Sequence, residues 1–432
     1  MKHKILILCG LVMLAAPALA LEVVVQSVEA PSIADALAID GVTVVSVAPG
    51  VYYESGLEVH ADVILQGQSG VAADVVIDAQ GADRVLHVLP GNGTELRHLT
   101  LRNGRKYDDR GRGGGILAEQ NWLTIDDVHV TACEAASGGG VYIQGGGVTR
   151  LSGLVIDHCQ ALVAGGGLFL NLWLGYTHAE EITLANNSAG QMGGGLYVVK
   201  AQEQTVLTRA TIAANSAPYG AGFAAWQTSA PVLGVLELQN VLVTLNQGDA
   251  AMRSQHYAAP ALSCSDAALN SGGDWAGVFA DQLGADGNIS ADPQLCDPVS
   301  GAWTVADGSP CAPDGACGGI GAWGVGCETV GNEPDDGVAP APLVAFGAHP
   351  NPFNPETEID FSMAAPGRVS LAVYDLSGRR VRTLVDGALP VGNHHAVWRG
   401  DDDSGRAVAS GVYLAVIRGD GRREALRLAL VK

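Results

Sequence analysis

Lysine is almost missing from this sequence: Lys2, Lys4, Lys106, Lys200 and Lys432 are the only five in 432 residues. Charged residues make up 16% of the chain and aromatics 5%, against a charged share of about 25% in typical soluble domains. A chain poor in Lys and rich in Gly is not mainly helical, because Gly opposes helix interiors by about 1 kcal/mol per residue. Basic residues number 24 against 45 acidic ones. That balance argues against DNA, RNA and anionic membranes as partners, since phosphate binding needs clustered Lys and Arg. It also argues against acidic polysaccharides, unless a divalent cation bridges the charges. Past residue 20 no stretch is apolar enough to span a bilayer, so no transmembrane segment is expected. The 58 glycines follow no Gly-X-Y period, which removes collagen, and 47% hydrophobic content removes disorder over most of the length. What remains is a chain of short strands and tight turns, long enough for two or three domains.

The charge is uneven. Residues 21–343 hold 35 acidic and 11 basic side chains, whereas residues 344–432 hold 10 and 11. The first 20 residues have a basic start, an apolar run from Ile5 to Ala16 and the sequence Ala18-Leu19-Ala20. This pattern predicts a secretory signal peptide cleaved after Ala20, and hence an exported protein, secreted or held at the outer cell surface. Its remaining seven cysteines would meet an oxidising compartment. An odd number leaves at least one thiol free or paired with another chain.

The central region repeats. Gly113-Gly114-Gly115-Ile116 returns as Gly138-Gly139-Gly140-Val141, Gly165-Gly166-Gly167-Leu168 and Gly193-Gly194-Gly195-Leu196, with a weaker copy at Gly220-Ala221-Gly222-Phe223. The steps are 25, 27, 28 and 27 residues. Alternating apolar pairs precede the copies: Val128 and Val130, Leu154 and Ile156, Ile182 and Leu184, Ala210 and Ile212. Five residues after the first member of each pair stand Cys133, Cys159, Asn187 and Asn215. Gly104 and Asn246 extend the column at its two ends. One such unit cannot bury its apolar side alone, but units stacked about 4.8 Å apart form parallel sheets around a continuous core. Asparagines in register would make an amide ladder. The predicted fold class is all-β, a parallel β-helix solenoid over residues 21–259.

With its Gly-Gly-x-aliphatic corners and the turns Asn187-Ser188-Ala189 and Asn215-Ser216-Ala217, this region resembles a right-handed parallel β-helix of the pectin-lyase type. It most resembles bacterial proteins with polymorphic-outer-membrane-protein repeats. The resemblance implies fold more than activity, since that fold hosts lyases, hydrolases and adhesins.

A solenoid needs its last coil closed. Residues 260–330 contain Cys264, Cys296, Cys311, Cys317 and Cys327, which suit a loop-rich cap stapled by disulfides. Zinc is the rival, opposed by the absence of paired CxxC motifs and of His in the cluster. Related bacterial β-helix proteins have similar closing segments, some with a further cysteine near Val278. The resemblance implies that one of the five stays unpaired here. Cys133 and Cys159 share a column, so either a bridge or a reduced buried pair fits them.

Residues 331–343 form a Pro/Gly/Asp linker, and residues 344–432 alternate as a small antiparallel sandwich. The residues Asn351, Pro352, Phe353, Asn354, Pro355, Tyr374, Asp375, Gly378, Arg379, Gly411, Tyr413 and Lys432 make this module resemble the Ig-like domain of the flagellar hook-capping family. They are also similar to the C-terminal sorting domains of type IX secretion. That second likeness implies engagement of secretion machinery and attachment at the cell surface.

Candidate chemistry is sparse. Asp127 and Glu181 sit just before the inward pairs, two coils apart. That is about 9–10 Å at the coil spacing, the long edge of the ~6.5–9.5 Å separation of inverting glycosidases. Arg105, Lys106 and Arg110 crowd one loop that would bind an anionic sugar, supply a lyase base, or stand as a solvated protrusion with internal ion pairs. Asp281, Asp286 and Asp292, with Asp297, would hold calcium, the one cofactor the sequence leaves room for. Trp173, Tyr176, Tyr197 and Trp226 offer either sugar-stacking surfaces or caps over the coil faces. The expectation is a non-catalytic module that binds a glycan or a surface protein. The alternative is a polysaccharide lyase or glycoside hydrolase using outward carboxylates.

Overall fold

A computed structural model describes residues 21–26, 32–108, 111–119, 121–199, 204–226, 236–255, 260–327, 343–350, 353–354, 356–363, 367–375, 380–403, 405–409, 411–419 and 422–431. The predicted signal peptide and linker lie outside these residues, apart from Leu343 at the linker's end, as do Arg110, Asn351, Pro352, Pro355, Gly378, Arg379 and Lys432. The chain divides into a unit of residues 1–330 and a unit of residues 331–432.

The first unit is a β-solenoid of about 7 turns. Its first parallel ladder runs through Leu57–Val59, Leu86–Val88 and Ile116–Glu119, and then through the starts of Val141–Ser152 and Leu168–Glu180. It ends with Leu196–Val199, Phe223–Trp226 and Met252–Gln255. Its second ladder starts at Leu21–Val25 and ends at Ala261–Ser263. Its third includes Val155–Asp157, Thr183–Ala185, Thr211–Ala213, Leu242–Thr244 and Asp266–Ala268. The ladders therefore continue past residue 259 into the cysteine-rich segment.

Register makes the core. Leu57, Leu86, Ile116, Val141, Leu168, Leu196, Phe223 and Met252 pair coil to coil, and each is at most 3% exposed. Alternation along a strand sends one set of side chains inward and the other out, so a single row becomes one wall of the core. Both ends of this core are plugged. Ile33, Ala36 and Leu37 of the short helix Ile33–Leu37 join it at one end and Phe279 at the other. The helix is held by a reciprocal Ser32–Asp35 capping box and by the Glu54 carboxylate, which accepts from the Ile33 and Ala34 amides at 2.9 Å.

The triple glycines have separate jobs. The first of each copy bends the chain with φ near +60°, as at Gly165 (65°). The second has no room for a side chain: a Cβ on Gly166 would lie 2.3 Å from the Gly194 carbonyl oxygen of the next coil.

Asparagine side chains run inside the solenoid as the spacing predicts, and the row extends to Asn270, one coil beyond Asn246. Cys133 and Cys159 continue the row as free buried thiols. They make no bridge: the Cys133 thiol donates to Thr131 O at 3.3 Å and the Cys159 thiol to Asp157 O at 3.2 Å. Burial raises the Cys159 pKa well above its ordinary value, and the neighbouring Cys133 adds to the rise.

The cysteine-rich segment is bridged Cys264–Cys317 and Cys296–Cys327, with Cys311 free and buried. It does more than close the end, because it folds back along the third ladder. The Ala322 amide donates to Thr211 Oγ1 at 2.9 Å and the Trp323 indole to Thr183 Oγ1 at 2.8 Å. Trp303 packs on Ala185 and Ala213.

The second unit pairs Leu343–His349, Thr357–Met363 and Gly392–Trp398 in one antiparallel sheet. Arg380–Leu389, Gly367–Asp375, Gly411–Gly419 and Arg422–Leu430 form the other. Its core is built on Trp398, with Phe353 at 5.3 Å and Tyr413 at 5.0 Å between ring centres. The Tyr413 hydroxyl donates to Ala409 O at 2.7 Å, the tyrosine-corner contact of Ig-like sandwiches. Phe353 and Tyr413, two residues of the predicted sorting motif, thus serve packing. Gly411 opens a strand, and Tyr374 lies in the sheet opposite Leu414.

Candidate binding face and the fate of the predicted sites

The outward residues of the first ladder form their own row: Leu117, Tyr142, Phe169, Tyr197, Ala224 and Arg253. Tyr142 stacks on Phe169 at 4.6 Å, and Phe169 meets Tyr197 edge-on at 4.9 Å. Such ring contacts add to the area they bury and stiffen the row. On one side runs the row Ala164, Met192 and Tyr219, and on the other Asn171, Val199, Trp226 and Gln255. The three rows lie side by side along the ladder, and the middle row, the floor between the other two, is aromatic over three successive coils.

The floor breaks at Ala224. Where the preceding coils place a ring, a methyl group leaves a concavity of about 240 Å³ lined by Met192, Tyr219, Ala224, Ala225, Trp226, Arg253 and Gln255. Tyr219 is 49% exposed. The Arg253 guanidinium lies 5.3 Å from its ring centre and pairs with Asp249, which is itself fixed by the Gly220 amide at 3.1 Å. The arrangement offers two aromatic surfaces, one ion pair and one amide around a ring-sized gap. Of the aromatics singled out from sequence, Trp226 lines this gap. Tyr197 is part of the floor and 8% exposed, and Tyr176 lies on the surface.

Asp127 and Glu181 do share a row, but not on a flat strand face. His98, Asp127, Gly153, Glu181, Arg209 and Asn240 all have φ between 49° and 58° and form the left-handed corner between the second and third ladders. Residues there are chosen for tolerance of that conformation. Both carboxylates are engaged across coils: Asp127 Oδ2 lies 3.0 Å from His98 Nδ1 and Glu181 Oε1 2.6 Å from Arg209 Nη2. The recurrence of a polar residue or Gly at this offset was the sequence sign of a corner.

The basic loop is paired internally. Arg105 Nε meets Glu134 at 3.0 Å, and Lys106 Nζ meets Asp83 at 2.9 Å and Asp108 at 3.1 Å. The hydrogen bond that Lys106 donates to Asp83, with Asp108 adding to it, outweighs burial and raises the Lys106 pKa. Burial pushes the Glu134 carboxyl up, but hydrogen bonds from Tyr107 and Arg105 outweigh it and hold it below its ordinary value. Arg105 and Lys106 are therefore committed to carboxylates of their own chain.

Among the described residues no three His, Cys, Asp or Glu side chains gather as a metal would need, so Asp281, Asp286 and Asp292 form no such cluster. Asp292 accepts from the Gln294 amide at 2.8 Å and Asp297 from the Ser300 amide at 3.3 Å. These are turn-forming roles. A buried acid that the sequence reading passed over lies at the closing segment. Asp266 is fully buried, accepts from the Ala291 amide at 3.1 Å and receives the Cys311 thiol at 3.2 Å. Burial raises its pKa to about 6.

The molecule is therefore a β-solenoid joined to a small Ig-like sandwich. The family described as "FlgD Ig-like domain" matches residues 352–421, and the C-terminal unit is an Ig-like domain of this type. No curated protein matches the chain significantly. Among solved structures it is similar to dimeric latent PorU from Porphyromonas gingivalis, at 20% identity and a TM-score of 0.19. That match covers 22% of this chain and 10% of the other.

Proposed function

We propose that this is an exported, non-catalytic binding protein whose solenoid presents the outer face of the first ladder, at its gap beside Ala224, to a glycan or a surface protein. Its Ig-like domain would serve in sorting or attachment at the cell surface. The observation that carries the binding reading is the gap at Ala224, the one break in the aromatic floor between Tyr142 and Ala224, walled by Tyr219 and Trp226. The pairing of Asp127 with His98 and of Glu181 with Arg209 favours binding over hydrolysis. A general acid with a raised pKa and a base free to take a proton are what a glycosidase pair requires. The residues of the predicted signal peptide support export, and the likeness to type IX sorting domains supports a surface role.

Glycan arrays and pull-downs on the mature protein test the binding reading, with saturable binding expected. New reducing ends from pectin, alginate or neutral glycans, lost in Asp127→Ala, would overturn the non-catalytic part. Deleting residues 344–432 tests sorting: loss of the protein from the surface or medium is expected, and unchanged levels would defeat that role.

A further inference from the structure

We propose that the gap at Ala224 is a subsite for a single neutral pyranose of a glycan. This deepens the binding reading above and rests on it. Size comes first: about 240 Å³ is below the ~300–1,000 Å³ of pockets that enclose drug-sized ligands, so the gap takes one ring and not a chain. Its position agrees, since the gap stands in register with Tyr197 and, one coil further, Phe169. A ring supplied from outside would continue the row.

The walls fit a sugar. Tyr219 and Trp226 flank the gap, and the apolar C–H faces of a pyranose bury well against aromatic faces. The rim supplies hydroxyl partners of both kinds. Arg253 donates, and Gln255 both donates and accepts. The Arg253 guanidinium, held by Asp249 that the Gly220 amide fixes in turn, presents donors to neighbouring hydroxyls without reorganising.

Charge decides between neutral and acidic sugars. Arg253, the one cation among the described residues that line the gap, is neutralised by Asp249. A uronate carboxylate would approach Asp249 as a like charge, on a body with 35 acidic and 11 basic residues over positions 21–343. A neutral hexose avoids both penalties.

The test is calorimetric titration of the mature full chain with β-1,4-glucohexaose, β-1,3-glucohexaose, β-1,4-mannohexaose and hexagalacturonate. Ala224→Phe puts into the gap the ring that Phe169 carries two coils earlier, and Gln255→Ala alters only an exposed rim residue. At least one neutral hexasaccharide should bind saturably and more tightly than hexagalacturonate. Ala224→Phe should weaken it at least tenfold and Gln255→Ala about threefold, with thermal midpoints unchanged. Neutral-sugar binding that survives both substitutions overturns the subsite and leaves the binding reading intact. Tighter binding of hexagalacturonate overturns the neutral assignment. No binding of any of the four overturns the subsite and leaves the protein-partner half of the reading to the pull-downs.

Discussion

Asn246 holds Asn215 twice: its Oδ1 accepts from the Asn215 backbone amide at 2.9 Å and from Asn215 Nδ2 at 3.0 Å. Asn215 does the same for Asn187, at 3.0 and 3.1 Å, and Asn270 does so for Asn246. Asp274 closes the series by accepting from both nitrogens of Asn270. Each amide also donates inward to a carbonyl one coil earlier in sequence order, as Asn215 does to Leu184 O at 2.8 Å. The row thereby satisfies buried backbone groups that a corner between strands would otherwise leave without partners.

Asn215→Ala should therefore lower the unfolding free energy of the solenoid by about 2–4 kcal/mol. It strips the Asn187 amide of its acceptor and the Leu184 carbonyl of its donor, and a buried group without a partner costs about 1–3 kcal/mol. Asn215→Cys should lose less, because Cys133 and Cys159 already occupy the row with sulfur facing the preceding amide at 3.4 and 3.5 Å. Urea unfolding of the three proteins checks this, and equal midpoints for wild type and Asn215→Ala would refute it.

The asparagine row was legible in the sequence because one period of 26–31 residues repeats both the apolar pair and the residue five positions on. The corner holding Asp127 and Glu181 was legible as a row but not as a corner, since positive φ leaves only a statistical trace in residue type. The helix Ile33–Leu37 was missed because five residues are too few to show a helical period. Its detectable sign was Ser32 followed three residues later by Asp35. The fold-back of Ala322 and Trp323 onto Thr211 and Thr183 joins positions 111 and 140 residues apart. No periodicity links them. The gap at Ala224 becomes visible only once register has placed it beside Tyr197.

Asp266 gives the stability a pH signature. Its folded pKa of about 6 lies above the ordinary carboxylate value because burial disfavours the charge, with Asp274 and Asp292 adding repulsion. The Ala291 amide and the Cys311 thiol offset part of this. The folded protein therefore binds a proton here that the unfolded chain has already released between about pH 4 and 6. In that window stability from this group falls as pH rises, by on the order of 2–3 kcal/mol, and levels off above pH 6. Asp266→Asn should remove this decline and stabilise the protein at pH 7. A wild-type and mutant difference that stays constant from pH 4 to pH 7 would contradict the assignment.

In the Ig-like unit, Tyr413→Phe keeps the ring packed on Trp398 but removes the 2.7 Å hydrogen bond to Ala409 O. The expected loss is about 1–2 kcal/mol in the unfolding of that unit, with the solenoid unaffected. Calorimetry on the full chain reads it directly. A shift in the solenoid transition instead would show that the two units do not unfold separately.

The disulfides should matter for what they hold against the third ladder. Cys264–Cys317 and Cys296–Cys327 close loops of 53 and 31 residues in sequence separation. The chain-entropy argument assigns each about 4 kcal/mol as an upper value. Mild reduction should release the segment around Trp303, which is 6% exposed in the folded protein, before the coils themselves unfold. Fluorescence should then shift to the red, and proteolysis should begin between residues 289 and 327 while the far-ultraviolet strand signal persists. In protein beginning at Leu21, unfolding without reductant should expose three thiols, from Cys133, Cys159 and Cys311, and unfolding after reduction should expose seven. A count of seven before reduction would show that the segment docks without its bridges, through Trp303, Trp323 and the Asp266–Cys311 contact alone.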